Sequence, residues 1–105
     1  MTYAVIGEIT ARPGRREELV AHLLQVAAAL PDRPGNLNNL VATSDDPNSV
    51  WTWEVWVNRE AHDAYLAGAT TKPEILATAT AAQALIASMA PTQQLTIRGG
   101  TSLTD

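Results

Sequence analysis

The sequence has no cysteine among its 105 residues and few aromatic residues, which make up 5% of the chain. Without cysteine the chain cannot form disulfides, zinc ribbons, Cys-ligated iron–sulfur clusters or a thiol nucleophile. Basic residues are also scarce, because seven Lys+Arg stand against eleven Asp+Glu, for a net charge of -4. Nucleic acid is therefore not an expected partner. The length and the 46% hydrophobic content predict one domain with a single core.

Long apolar runs are missing as well. The N-terminal segment before Glu8 has no basic start followed by an apolar stretch of signal-peptide length, and no stretch approaches a membrane span. We therefore expect a cytoplasmic protein without a membrane partner. Phosphate-binding loops and G-x-S-x-G patterns are absent, and the two histidines show no metal-ligand spacing. The sequence thus implies no cofactor and no metal.

Periodicity predicts an α+β domain with the element order βαββαβ, a ferredoxin-like arrangement with a four-stranded antiparallel sheet. Strands are predicted at residues 3–11, 37–43, 50–57 and 93–98. A first helix follows Pro13-Gly14 and ends at Leu30. The domain is predicted to span residues 1–98, with residues 99–105 forming a flexible C-terminal tail.

The second helical region is predicted in two pieces. Asn58 is the expected N-cap of a short helix that runs to about Leu66 and ends at Gly68. The capping-box spacing of Thr71 and Glu74 starts a second piece, which Pro91 ends. Its apolar stripe at helical spacing consists of Ile75, Ala79, Ala82, Ile86 and Met89.

The third predicted strand carries large side chains on both faces. Thr52, Glu54 and Trp56 alternate with a second set, which consists of Trp51, Trp53, Val55 and Val57. Helices in this fold cover one sheet face only. The second set would therefore be an exposed apolar patch on a monomer, which predicts a homodimer packed sheet against sheet.

The chain resembles the antibiotic biosynthesis monooxygenase (ABM) superfamily of dimeric α+β barrels, which includes small quinol and anthrone monooxygenases. The resemblance covers about residues 3–98 and is strongest from Trp53 to Ala61 (WEVWVNREA), with its Glu-x-Trp pattern. It implies a substrate pocket on the helix-covered sheet face, lined by Thr52, Glu54 and Trp56.

Several positions differ from the family's patterns. Where many relatives have His the chain has Tyr65, and the Pro-His that often follows is absent near residues 70–73. In the anthrone-oxidising branch an Asn and a Tyr occupy the positions of Thr52 and His62. The haem-degrading branch has an Asn where this chain has Gly7.

Glu54 and His62 are the candidate catalytic bases. A carboxylate within an apolar strand needs a partner, so Glu54 either pairs structurally, with Arg98 or a backbone amide, or acts as a general base. His62 is either a surface or hydrogen-bonded residue or a group that deprotonates a substrate hydroxyl. Trp56 is either a core residue or a flat wall of the pocket.

The resemblance implies a cofactor-independent monooxygenase that oxidises a small aromatic substrate, such as a quinol or anthrone, with O2. Glu54 and His62 would be catalytic, and Thr52, Trp56 and Tyr65 would bind the substrate. The alternatives are a non-catalytic dimer that binds small molecules and a haem-binding relative with a histidine as axial ligand.

Overall fold

A computed structural model describes residues 2–69 and 80–100 as an α+β domain, which confirms the predicted fold class. An antiparallel sheet carries helices on one face, here termed the helix face; the other face is termed the open face. The elements in chain order are β1 (Tyr3–Ala11), α1 (Arg16–Ala29), β2 (Asn36–Thr43), β3 (Ser49–Trp56), α2 (Arg59–Ala69), β4 (Ile86–Met89) and β5 (Gln93–Thr96), with a 3-10 turn at Leu30–Asp32 after α1.

The sheet has five strands rather than the predicted four. Its order is β2-β3-β1-β4, and β5 also pairs with β1. The two short strands lie end to end along β1, since β4 pairs near Ile9 and β5 pairs from Tyr3 onward. Pro91, between them, has no N–H to donate to the ladder. The fourth position of the sheet is thus filled by two strands.

The prediction of a helix through Ile86 and Met89 is wrong. These residues form β4, and the backbone N–H of Arg12 donates to Leu85 O at 2.8 Å beside the end of β1. Pairing with the edge of β1 overrides the helical propensity of the alanine-rich segment. Residues 80–83 are helical. The predicted start of this helix, with Thr71, Glu74, Ile75 and Ala79, lies outside the described residues, as do residues 101–105 of the predicted tail.

The core lies between the helix face and the helices. It joins β1, β3 and the residue before β4 to α1 through five buried residues, Ile9, Ala11, Leu19, Val50 and Leu85. Leu19 is the α1 side chain that is fully removed from water. Full burial of an aliphatic side chain of this size stabilises the fold by about 1.5–3 kcal/mol.

Helix α2 begins as predicted and extends past its predicted end. Asn58 Oδ1 accepts a hydrogen bond from the backbone N–H of Ala61 at 2.9 Å, which confirms Asn58 as the N-cap. The helix continues through Gly68 to Ala69. Its first turn lies against Gly35, where an added Cβ would stand 2.6 Å from Ala61 Cβ. Gly35 also has a φ of +85°, so glycine is required there on both grounds.

The open face exposes much of the predicted apolar set. Trp51 is 39% exposed and Val57 is 42% exposed, and β2 adds Leu40 at 57%. Val55, by contrast, is fully buried, as is Ala4, its pairing partner on β1. None of the helices in the described ranges is long and apolar enough to cross a membrane.

Candidate functional site

Strand β3 places its three candidate residues on the helix face. Successive side chains of a strand point to opposite faces, so Thr52, Glu54 and Trp56 lie on the same side. The ring of Trp56 contacts rings of α2, and Thr52 and Glu54 line a cleft together with residues of α1. The predicted division of the β3 faces is therefore confirmed.

Four rings pack together where β1 and β3 meet α2. We call this set the ring cluster; it consists of Tyr3, Trp56, His62 and Tyr65. Trp56 stacks on Tyr65 at 5.4 Å between centroids and meets His62 edge-on at 5.8 Å. Trp56 is fully buried. It is a core tryptophan that packs against the rings of His62 and Tyr65.

Glu54 is held by the indole of Trp56. Trp56 Nε1 donates a hydrogen bond to Glu54 Oε1 at 3.1 Å. Within residues 2–69 and 80–100, Glu54 forms neither the ion pair with Arg98 nor the backbone hydrogen bond weighed from the sequence. Its second oxygen, Oε2, has no hydrogen-bond partner in those ranges either.

The carboxylate opens into a narrow cleft of about 40 Å³ between α1 and the sheet. We call it the Glu54 cleft; its lining includes Leu23, Val26, Leu30, Asn39, Val41 and Thr52. Asn39 pairs with Glu54 in the sheet register. Reciprocal side-chain hydrogen bonds with Asn36, at 3.0 and 2.7 Å, hold the amide of Asn39 in place. The cleft thus combines apolar walls with a fixed carboxylate and a fixed amide.

A second and larger recess, of about 280 Å³, lies between α2 and the loop before β2. We call it the Arg33 recess; it is lined by Arg33, Pro34, Ala61, Ala64, Tyr65 and Gly68. The single pocket expected from the sequence is therefore divided in the described structure. Thr52 and Glu54 line the cleft, Tyr65 lines the recess, and Trp56 and His62 lie in the ring cluster.

The pKa of Tyr65 depends on a charged residue at each opening, Glu54 at the cleft and Arg33 at the recess. Burial raises the pKa of the Tyr65 hydroxyl, the negative charge of Glu54 raises it further, and Arg33 lowers it. Tyr65 therefore keeps its proton at neutral pH and acts as a hydrogen-bond donor.

His62 is mostly enclosed, with 12% of its side chain exposed. Its ring lies 5.5 Å from that of Tyr3, and Nδ1 lies 3.3 Å from Asp63 Oδ1. This contact orients the ring at the start of α2. Trp56 thus lies between His62 and Glu54 and contacts both.

Two residues at these openings were missed from the sequence. Asn39 could have been found as a polar residue on the helix face of β2, opposite Glu54. Arg33 carries no sequence signal, because only the packing of α2 against its loop brings it to Tyr65. The described part of the chain contains no group of three or more His, Asp or Glu that could hold a metal ion.

Comparison with known protein families identifies the family of this chain. Residues 2–83 match the family model described as antibiotic biosynthesis monooxygenase, ABM. The chain belongs to this family. The ABM match covers β1 to α2 and so includes all five candidate site residues.

Solved structures agree with the ABM assignment. A protein of Chloroflexus aurantiacus J-10-fl, described only provisionally as an antibiotic biosynthesis monooxygenase, is 31% identical, with a TM-score of 0.79 over 98% of this chain and 99% of that one. SnoaB of Streptomyces nogalater, a cofactor-independent oxygenase, is 23% identical and shares the fold with a TM-score of 0.77 over 95% of this chain and 96% of that one. Rv0793 of Mycobacterium tuberculosis is 21% identical, with a TM-score of 0.77 over 97% of this chain and all of that one. A search of the curated proteins found no match.

Proposed function

We propose that the protein is a cofactor-independent monooxygenase that oxidises a small aromatic substrate, such as a quinol or an anthrone, with O2. The observation that carries the proposal is the Glu54 carboxylate, which is fixed by Trp56 Nε1 at 3.1 Å and opens into an apolar cleft. Membership of the ABM family supports a monooxygenase. SnoaB, which shares the fold, is a cofactor-independent oxygenase.

Glu54 would act as the general base through Oε2, and the cleft of about 40 Å³ would have to widen to admit the substrate ring. Glu54 removes a proton from the substrate, and the resulting anion gives one electron to O2, which becomes superoxide. The substrate radical and superoxide then combine to a peroxide, which loses water. A quinol thereby gives a hydroxyquinone and an anthrone gives an anthraquinone, with one oxygen atom in the product and the other in water. The apolar walls around the carboxylate keep the radical pair away from solvent.

The neighbouring residues have distinct roles in this proposal. Thr52 and Tyr65 donate hydrogen bonds to substrate oxygens, and the raised pKa of Tyr65 keeps its proton available. Trp56 holds the carboxylate and supports the ring of Tyr65. His62 is the alternative base, since it lies in the same ring cluster.

The same proposal includes a homodimer formed through the open face. Leu40, Trp51 and Leu95 are each at least 39% exposed on this face of the single chain. Exposed apolar area of this kind is typical of an interface between copies. The helix-face site would then lie on the outer side of each sheet.

A non-catalytic dimer that binds small molecules is the second candidate. It is favoured by the Arg33 recess, the larger of the two openings, which has no carboxylate among the described residues that line it. A ligand bound only there would be held but would meet no general base.

Oxygen uptake separates the two candidates. Purified protein is mixed with a panel of quinols and anthrones, without added cofactor or metal, and O2 consumption is recorded with an electrode. The enzyme consumes one O2 per product formed, and the Glu54→Gln variant loses most of this rate. Ligand binding without O2 consumption across the panel contradicts the monooxygenase and supports the binding protein.

A further inference from the structure

The Arg33 recess contains a cation that has no counter-ion among residues 2–69 and 80–100. The guanidinium of Arg33 lies 6.0 Å from the ring centre of Tyr65 and makes no hydrogen bond or ion pair within the described ranges. Arg33 is also only partly exposed. Partly buried cations are usually paired, and an unpaired one at the wall of a recess suits an anionic ligand.

Tyr65 adds a second unused donor at the same wall. Its hydroxyl has no hydrogen-bond partner among residues 2–69 and 80–100. Burial raises its pKa, so the O–H is retained at neutral pH. Arginine and a protonated tyrosine together can donate to both oxygens of a carboxylate.

The remaining wall fits a flat apolar group. Ala61, Ala64 and Gly68 follow one face of α2 at spacings of three and four residues, so this face of α2 puts no long side chain into the recess. Pro34 completes the apolar lining. The volume of about 280 Å³ is at the small end of ligand pockets, which favours a single ring over a polycyclic system.

We propose that the Arg33 recess binds the carboxylate of a small aromatic acid. Arg33 pairs with the carboxylate, Tyr65 donates its O–H, and the ring of the acid lies against Ala61 and Ala64. This inference shares only Tyr65 with the proposed function, because an acid whose ring lies against Ala61 and Ala64 does not meet Glu54; the recess is a ligand site separate from the site of oxidation.

Two matched probes test the inference. 2,5-Dihydroxybenzoate and hydroquinone differ only in the carboxylate, and their dissociation constants at neutral pH are measured by titration calorimetry. We expect the acid to bind at least about tenfold more tightly than hydroquinone. In Arg33→Gln this preference should disappear, whereas Arg33→Lys should keep part of it. The control Arg59→Gln removes an exposed arginine of α2 and should leave the preference unchanged.

Location is read separately by amide NMR, in which the acid should shift the signals of Ala64 and Gly68. Equal binding of both probes, an unchanged preference in Arg33→Gln, or shifts confined to other residues would each overturn the inference. Measurement of O2 uptake distinguishes a failure of this inference from a failure of the proposed function. Failure of the quinol and anthrone panel to consume O2 contradicts only the monooxygenase, and equal binding of 2,5-dihydroxybenzoate and hydroquinone contradicts only the carboxylate site.

Discussion

Trp56 Nε1 donates to Glu54 Oε1 at 3.1 Å, so one face of one strand supplies both the candidate base and the group that holds it. The two residues are neighbours on the helix face of β3, and Trp56 is fully buried. The indole is thus fixed by packing, and it fixes one oxygen of the carboxylate in turn. The other oxygen remains available to a substrate.

The choice between Glu54 and His62 as base can be made by substitution. Glu54→Gln keeps the shape and the acceptor for Trp56 Nε1 but cannot take a proton. General-base catalysis commonly contributes about 10²- to 10⁴-fold, so we expect a loss of that order in kcat with little change in Tm. His62→Asn keeps hydrogen bonding without a titratable ring and should lower kcat only a few-fold.

The reverse pattern, a large loss in His62→Asn and a small one in Glu54→Gln, would transfer the role of base to His62. Small losses in both variants would show that solvent or the acidity of the substrate removes the proton. In that case the helix-face residues would act only as a container.

Tyr65 should lose its proton only at high pH. The chain has two tyrosines, so in Tyr3→Phe the absorbance change at 295 nm reports Tyr65 alone. Because burial and the charge of Glu54 raise its pKa, we expect a midpoint above the usual value of about 10. Arg33→Gln in this background should move the midpoint higher still, because Arg33 lowers the pKa of Tyr65. A midpoint at or below 10 would contradict the geometry.

The same shift affects stability. Because the pKa of Tyr65 is higher in the folded than in the unfolded state, its neutral hydroxyl contributes stability that is fully present below about pH 10. This contribution is lost as the pH rises through the folded-state pKa. The decrease in the free energy of unfolding with rising pH should be smaller in Tyr65→Phe. Urea unfolding between pH 9 and 11 measures it, and identical pH dependence in the two proteins would argue against a buried hydroxyl.

Gly35 and Gly14 form a matched pair for backbone strain. Both have positive φ, +85° and +76°. An added Cβ meets nothing within 4 Å at Gly14, but at Gly35 it lies 2.6 Å from Ala61 Cβ. Gly14→Ala should therefore lower the free energy of unfolding by about 1–2 kcal/mol, from strain alone. Gly35→Ala should lower it by about 1–3 kcal/mol more, because α2 must move. Equal losses in urea unfolding would show that α2 does not pack closely on Gly35.

If the open face forms a dimer interface, a charged side chain introduced there should disrupt the dimer. Leu40→Glu places a carboxylate on this face, and Leu24→Glu places one on the exposed side of α1, where Leu24 is 52% exposed. We expect the wild type and Leu24→Glu to be dimers by light scattering, and Leu40→Glu to be a monomer or an aggregate. A wild type that is monomeric at micromolar concentration would show that this face is not an interface between copies.

Much of the scaffold could be predicted from local patterns. Alternation in residues 3–11 and 50–57 gave the two central strands within a residue, and Asn58 gave the start of α2. The segment from Ile86 to Met89 could not be assigned in this way. It lies at the end of an alanine-rich stretch that favours a helix, and its pairing partner, β1, is distant along the chain.

The sequence by itself determined the α+β class, the ABM resemblance and the placement of Thr52, Glu54 and Trp56 on one face, because strand periodicity is a local property of the backbone. Tertiary structure decided which groups meet. The indole of Trp56 rather than Arg98 holds Glu54, β4 and β5 share the edge of β1, and Arg33 contacts Tyr65 from the loop before β2. The last two contacts join residues far apart in the chain through strand pairing and helix docking, which leave no periodic pattern in the sequence. The first depends on the packing that buries and fixes the indole of Trp56.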